Sequence, residues 1–137
     1  IESLLPHRKP FLFVDEIVSC DENGSVSEHV FSEDEFFFKG HFPEYPVVPG
    51  VILVETMAQA GGAALSYQKT FEEGSLFFLA TVDKVKFRNQ VRPNDKVRME
   101  IKNLRVSKKM IKQSGVAYVG DQIAAEAEWM CLVGKAN

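Results

Sequence analysis

Cysteine is scarce: Cys20 and Cys131 are the only two, far apart and without the Cys-x-x-Cys spacing of a zinc or redox site. That excludes a disulfide framework and leads us to expect a reducing, cytoplasmic setting. No stretch approaches the roughly 18 uninterrupted apolar residues of a membrane span, so membrane insertion is not expected. The opening Ile1-Glu2-Ser3-Leu4-Leu5-Pro6 lacks the basic start and long apolar run of a signal peptide. A Walker-type loop, a GxGxxG, an HxH or HExxH pair and a GxSxG elbow are all missing, so nucleotide binding and metal catalysis have no sequence support. Basic charge is not in excess: 16 Lys and Arg face 19 Asp and Glu, a net −3 that gives nucleic acid no broad footprint. Repeats and low-complexity segments are absent.

What remains is an ordinary globular composition, 45% hydrophobic and 26% charged over 137 residues, which suits one domain spanning 1–137. Phe11 to Cys20 reads as a buried strand, and Asn23-Gly24, a dipeptide tolerant of positive φ, as a hairpin turn into a strand over Ser25–Phe31. His29 is expected on that strand's surface. Ser32 to Gly50 carries prolines at 43, 46 and 49, so a stiff extended connection is predicted. Val51 to about residue 66 reads as a helix with Gly50 at its cap. Glu55, Thr56 and Gln59 are its only polar residues before Ser66, so protein must wrap most of its faces. Small residues from Ala58 to Ala64 would let a sheet come close.

Everything after about residue 75 reads as strand: Leu76–Val91, the alternation Val97, Met99, Ile101 with a bulge near Leu104 and Val106, and Val116–Val119. Gly120-Asp121 then turns into a last strand alternating from Ile123 to Val133. Two strands, one buried helix and four or so antiparallel strands make an α+β fold, a curled sheet around a central helix.

Three positions could carry chemistry. Glu55 is the one charge in an apolar helix, where a lone carboxylate costs several kcal/mol; it must pair, reach a cavity or keep its proton. Gln59, one turn on, can hold it by hydrogen bond. A face that simply meets solvent or a basic residue explains Glu55 equally well. His41, in Gly40-His41-Phe42-Pro43 ahead of the proline segment, can accept a proton near neutral pH, although taken singly it also reads as an ordinary loop histidine. His7 and His29 have less to recommend them. Gly50 and Val51 offer backbone N–H groups at a helix N-terminus, donors suited to a carbonyl oxygen gaining charge. Charge is also uneven: residues 84–112 carry 11 Lys and Arg against 2 Asp and Glu, either a solvated sheet face or a dock for an acidic partner. The cluster Phe36-Phe37-Phe38 with Phe42 can line a tunnel or pack a core.

Leu5-Pro6-His7-Arg8-Lys9-Pro10-Phe11-Leu12-Phe13-Val14-Asp15, Gly40-His41-Phe42-Pro43, Pro46-Val47-Val48-Pro49-Gly50-Val51 and Glu55-Thr56-Met57-Ala58-Gln59-Ala60-Gly61 closely resemble the 3-hydroxyacyl-acyl carrier protein dehydratases of the FabZ type. Lys86-Phe87-Arg88, Val91-Arg92-Pro93-Asn94-Asp95 and Ala125-Glu126-Ala127-Glu128 continue the match in order. The resemblance implies a hot-dog fold and a catalytic pair, His41 as base and Glu55 as acid, contributed by different subunits of a homodimer that is often assembled into a trimer of dimers. It places Gly50 at the thioester carbonyl and requires no metal or organic cofactor. The partner it implies is an acidic acyl carrier protein delivering substrate on phosphopantetheine, with Arg88 and Arg92 as docking candidates. A hot-dog thioesterase and a non-catalytic acyl- or carrier-binding module are the alternatives.

Overall fold

The computed structural model describes residues 1–42, 44–72 and 74–135; Pro43, Glu73 and the last two residues lie outside them. Six antiparallel strands form one sheet: β1 (Glu16–Cys20), β2 (Gly24–Val30), β3 (Ser75–Phe87), β4 (Lys96–Val106), β5 (Met110–Val119) and β6 (Gln122–Lys135). Their order across the sheet is β1-β2-β4-β5-β6-β3, so β1 and β3 are the edges. The single α-helix, α1 (Gly50–Tyr67), touches all six strands. A sheet can do that only by curling around the helix, and this is the hot-dog arrangement.

The core follows from the alternation. Val97, Met99 and Ile101 of β4 and Ala125, Ala127, Trp129 and Cys131 of β6 point inward and are buried. Facing them, α1 buries Leu53, Met57, Ala60, Ala64 and Leu65. The β4 bulge falls between Asn103 and Arg105, and Leu104 is turned outward. Helix and sheet come close together at Gly61, where an added Cβ would stand 2.2 Å from Oε1 of Gln113 on β5. Gln113 is itself fully buried: its Oε1 accepts from Trp129 Nε1 at 3.1 Å and its Nε2 donates to Asn103 at 2.8 Å.

Several details differ from the sequence reading. The first strand starts at Glu16 rather than Phe11, because the Phe13 N–H donates to the Gln59 side chain instead of a neighbouring strand. The Asn23-Gly24 hairpin exists, but neither residue has positive φ. Asp21 Oδ1 instead accepts both of their N–H groups, and Gly24 is required because a Cβ there would lie 2.0 Å from the Ile101 carbonyl oxygen. The proline-rich connection contains a 3-10 turn, Phe36–Lys39, which buries Phe37 and Phe38. Phe37 packs against Phe13 and Phe31 at 6.1 and 5.9 Å between ring centroids, so it is a core residue. Finally, Pro49 is the helix cap and Gly50 is the first helical residue.

His29 is not on the surface. It is 5% exposed, with Nδ1 3.0 Å from Asp15 and Nε2 3.0 Å from Glu35. Burial opposes charge on the ring, but the hydrogen bonds and negative charges of the two carboxylates outweigh it and raise its pKa to about 9. The imidazolium therefore bridges the segment before β1, β2 itself and the residue preceding the 3-10 turn.

Candidate active site

His41 is placed by the 3-10 turn. Its backbone N–H donates to Phe37 O at 3.0 Å, and Phe37 is anchored in the core. Its ring Nδ1 lies 3.0 Å from the Val47 carbonyl oxygen. A carbonyl only accepts, so Nδ1 carries the hydrogen and Nε2 is left with a free lone pair. The next residue, Phe42, sits at φ 56°, a left-handed conformation that costs a non-glycine residue about 1–2 kcal/mol and tends to occur where geometry serves function.

The half-buried His41 ring opens on a cavity of about 480 Å³ whose other walls include Pro49, Gly50, Leu53, Phe87 and Arg88. Gly50 stands where α1 begins, and an added Cβ would be 2.7 Å from the Phe87 ring. Glycine there lets the ring lie against the helix start. Among the described residues the Gly50 and Val51 N–H groups have no hydrogen-bond partner, and they sit at the positive end of the helix. The imidazole, the backbone donors and the apolar walls thus line one space.

Glu55 is elsewhere. It stands about 7.5 Å further along the helix axis than Gly50 and on another face. Its carboxyl borders a separate cavity of about 50 Å³ with His7, Gln59, Phe77 and Cys131. Gln59 Nε2 donates to Glu55 Oε2 at 2.8 Å and to Phe11 O at 2.9 Å, while its Oε1 accepts the Phe13 N–H at 2.8 Å. The Glu55 side chain remains 23% exposed, so its own chain does not enclose it. Within one chain the fold therefore brings His41 to Gly50 and Glu55 to Gln59, but does not place His41 and Glu55 in a common cavity.

Sequence reasoning passed over His7, whose Nε2 is 3.5 Å from Glu55 Oε2. Burial lowers its pKa, opposed in part by the Glu55 charge. The segment before residue 11 has no periodicity to place it, so only the fold reveals the contact. Cys131 is no nucleophile: burial, then the neighbouring Glu55, push its thiol up to about 12. Arg88 lies at the cavity rim but is paired with Glu126, and the Arg92 guanidinium stacks over Tyr45 at 4.0 Å. Among the described residues no group of His, Cys, Asp and Glu is arranged to hold a metal, and no helix is long and apolar enough to cross a membrane.

Comparison with known proteins matches this sequence to one family. The FabA-like domain family matches residues 5–128. A 3-hydroxyacyl-acyl-carrier-protein dehydratase FabZ from Pelotomaculum thermopropionicum is 42% identical over 97% of this chain and 95% of its own. One of the same name from Caulobacter vibrioides is 44% identical over 94% of this chain and 82% of its own. Among solved structures, the dehydratase heterocomplex ApeI:P from Xenorhabdus doucetiae superposes with a TM-score of 0.85 at 16% identity, covering 99% of this chain and 90% of that one. A Haemophilus influenzae thioesterase gives 0.62 at 14% identity over 88% of this chain and 78% of its own, a likeness of fold alone. With the family matched over most of its length and relatives above 40% identity across nearly all of it, the chain belongs to the FabA-like family, in its FabZ-type branch.

Proposed function

We propose that this chain removes water from (3R)-3-hydroxyacyl thioesters of acyl carrier protein, giving trans-2-enoyl thioesters in fatty acid biosynthesis. The observation that carries the reading is the free Nε2 of His41, its ring fixed by the Nδ1 bond to Val47 and lining the same cavity as the unpartnered helix-start N–H groups. His41 Nε2 takes the C2 proton. The Gly50 N–H stabilises the enolate-like charge that develops on the thioester carbonyl oxygen, and the helix N-terminus adds to it. Electrons from the C2–H bond form the C2–C3 double bond, the C3–O bond breaks, and Glu55 in its acid form supplies the proton that lets hydroxide leave as water. His41 gains one proton and Glu55 loses one, so their exchange with solvent restores the site. No cofactor takes part.

A homodimer completes the site. The edge strand β3 is 13 residues long and exposes Phe78, Leu79, Val82, Val85 and Phe87, an apolar edge of the kind that proteins cover. Pairing with β3 of a second copy covers it and supplies Glu55 of the partner subunit to each His41; three such dimers form the larger assembly. The acidic carrier protein docks beside the cavity mouth, where Arg88 and Arg92 lie. Free Cys20 and Cys131 suit a reducing cytoplasm.

The test supplies 3-hydroxyacyl-carrier protein and follows both enoyl-thioester absorbance and free thiol. Absorbance change without thiol is the expected result. Thiol release means a thioesterase, and neither signal means a binding module; each of these overturns the reading.

A further inference from the structure

His7 makes its one close polar approach to the proposed acid. Its Nε2 stands 3.5 Å from Glu55 Oε2, the same oxygen that Gln59 Nε2 reaches at 2.8 Å. Its Nδ1 is buried and has no hydrogen-bond partner among the described residues. A hydrogen on Nδ1 would be a buried, unsatisfied donor, whereas a bare acceptor nitrogen there is tolerated more readily, so the hydrogen belongs on Nε2 and points at the carboxyl. Burial favours the neutral ring at physiological pH. The other titratable side chain lining this small cavity, Cys131, keeps its proton and adds no charge. The histidine is also held in place: Arg8 Nη1 donates to the carbonyls of Leu5 and His7 at 2.8 and 2.7 Å, and Leu5 is buried.

Gln59 thus donates to Oε2 of Glu55, and His7 Nε2 stands beside the same oxygen, at 3.5 Å. A second bond from His7 would fill the lone pairs of that one oxygen and leave Oε1 to carry the acid proton. A 3.5 Å approach is long for a hydrogen bond, and such contacts often shorten once substrate closes an active site. The ring serves best when neutral, because an imidazolium at that position would favour the carboxylate and strip the acid of the proton it must give.

Resting on the dehydratase reading above, we infer that His7 is a positioning residue for Glu55, whose Nε2–H holds Oε2 so that Oε1 presents its proton to the departing hydroxyl.

The test compares two amide replacements. In His7→Gln the amide nitrogen falls near the Nε2 position and keeps the donor; in His7→Asn it falls near Nδ1 and loses it. Steady-state dehydration by the full-length protein should show kcat for His7→Gln within about threefold of the parent, and about tenfold or more lower for His7→Asn, with KM unchanged in both. Melting temperatures of both variants provide the check on folding. Each is then combined with Glu55→Gln and read by single turnover. Because His7 acts through Glu55, His7→Asn should add little to the loss already caused by Glu55→Gln. Equal kcat losses for the Gln and Asn variants, or the same His7→Asn loss with and without the Glu55 carboxyl, overturn the assignment. Failure of the parent protein to dehydrate at all sinks the dehydratase reading instead.

Discussion

Gln59 ties Glu55 to the segment that leads into β1: one side-chain amide donates to the Glu55 carboxyl at 2.8 Å and to Phe11 O at 2.9 Å, and accepts the Phe13 N–H at 2.8 Å. Every hydrogen-bonding group of a 2%-exposed side chain except one lone pair is thereby engaged with a neighbour. Gln59→Leu leaves the buried Phe13 N–H without an acceptor, and a loss of about 1–3 kcal/mol is expected by urea denaturation. Turnover should fall as well, because the proposed acid loses its 2.8 Å donor. Unchanged stability would mean that the Phe13 N–H finds water.

Replacing the proposed acid itself should separate chemistry from folding. Glu55→Gln keeps the shape of the side chain and the partial exposure of its environment, so the melting temperature should stay within a few degrees of the parent. Turnover should drop by about 100-fold or more, the usual contribution of a positioned acid. A mild loss in steady-state assays would assign the proton to another donor.

A shared site has a signature in mixtures. His41→Ala and Glu55→Gln are each expected to be nearly inactive alone. Refolded together, heterodimers keep one site built from the intact His41 of one chain and the intact Glu55 of the other. With random pairing, recovery on the order of a quarter of the parent activity is expected from the two-fold geometry. Verified heterodimers without activity would place both groups in one chain.

His29 gives stability a slope with pH. Its folded pKa of about 9 lies above the unfolded value of 6.5, so the contribution is complete below about pH 6.5 and disappears as pH rises through 9. Allowing for the half-exposed Asp15 partner, the amount is about 2 kcal/mol. Melting temperatures measured from pH 6 to 10 should fall across that interval. The slope should flatten in His29→Gln, and a parallel fall in that variant would assign it to other groups.

The hydrophobic periods of β4 and β6, the apolar length of α1 and the Gly120 turn were legible because each is a local pattern that the core then reads directly. On β2 the same logic points the wrong way. Ser25, Ser27 and His29 face inward, while Val30 is 40% exposed. His29 can hold the inner face there because its partners, Asp15 and Glu35, arrive from segments that no local pattern links to it. The candidate site divides in the same manner. The residue types at 41, 50, 55 and 59 stand out in the chain, but the approach of His7 to Glu55 depends on a segment without periodicity folding back over the helix.

Gly61 has a further consequence. The Gln113 carboxamide beneath it leaves no room for a methyl group, so the helix rests on the sheet at this level only with glycine between them. Sliding by one turn, about 5.4 Å, would bring Met57, Ala58, Ala64 or Leu65 over that amide and carry Glu55 the same distance away from its neighbours. An absent side chain on the far side of the rod thus works as a detent, indexing the proposed proton donor six residues away.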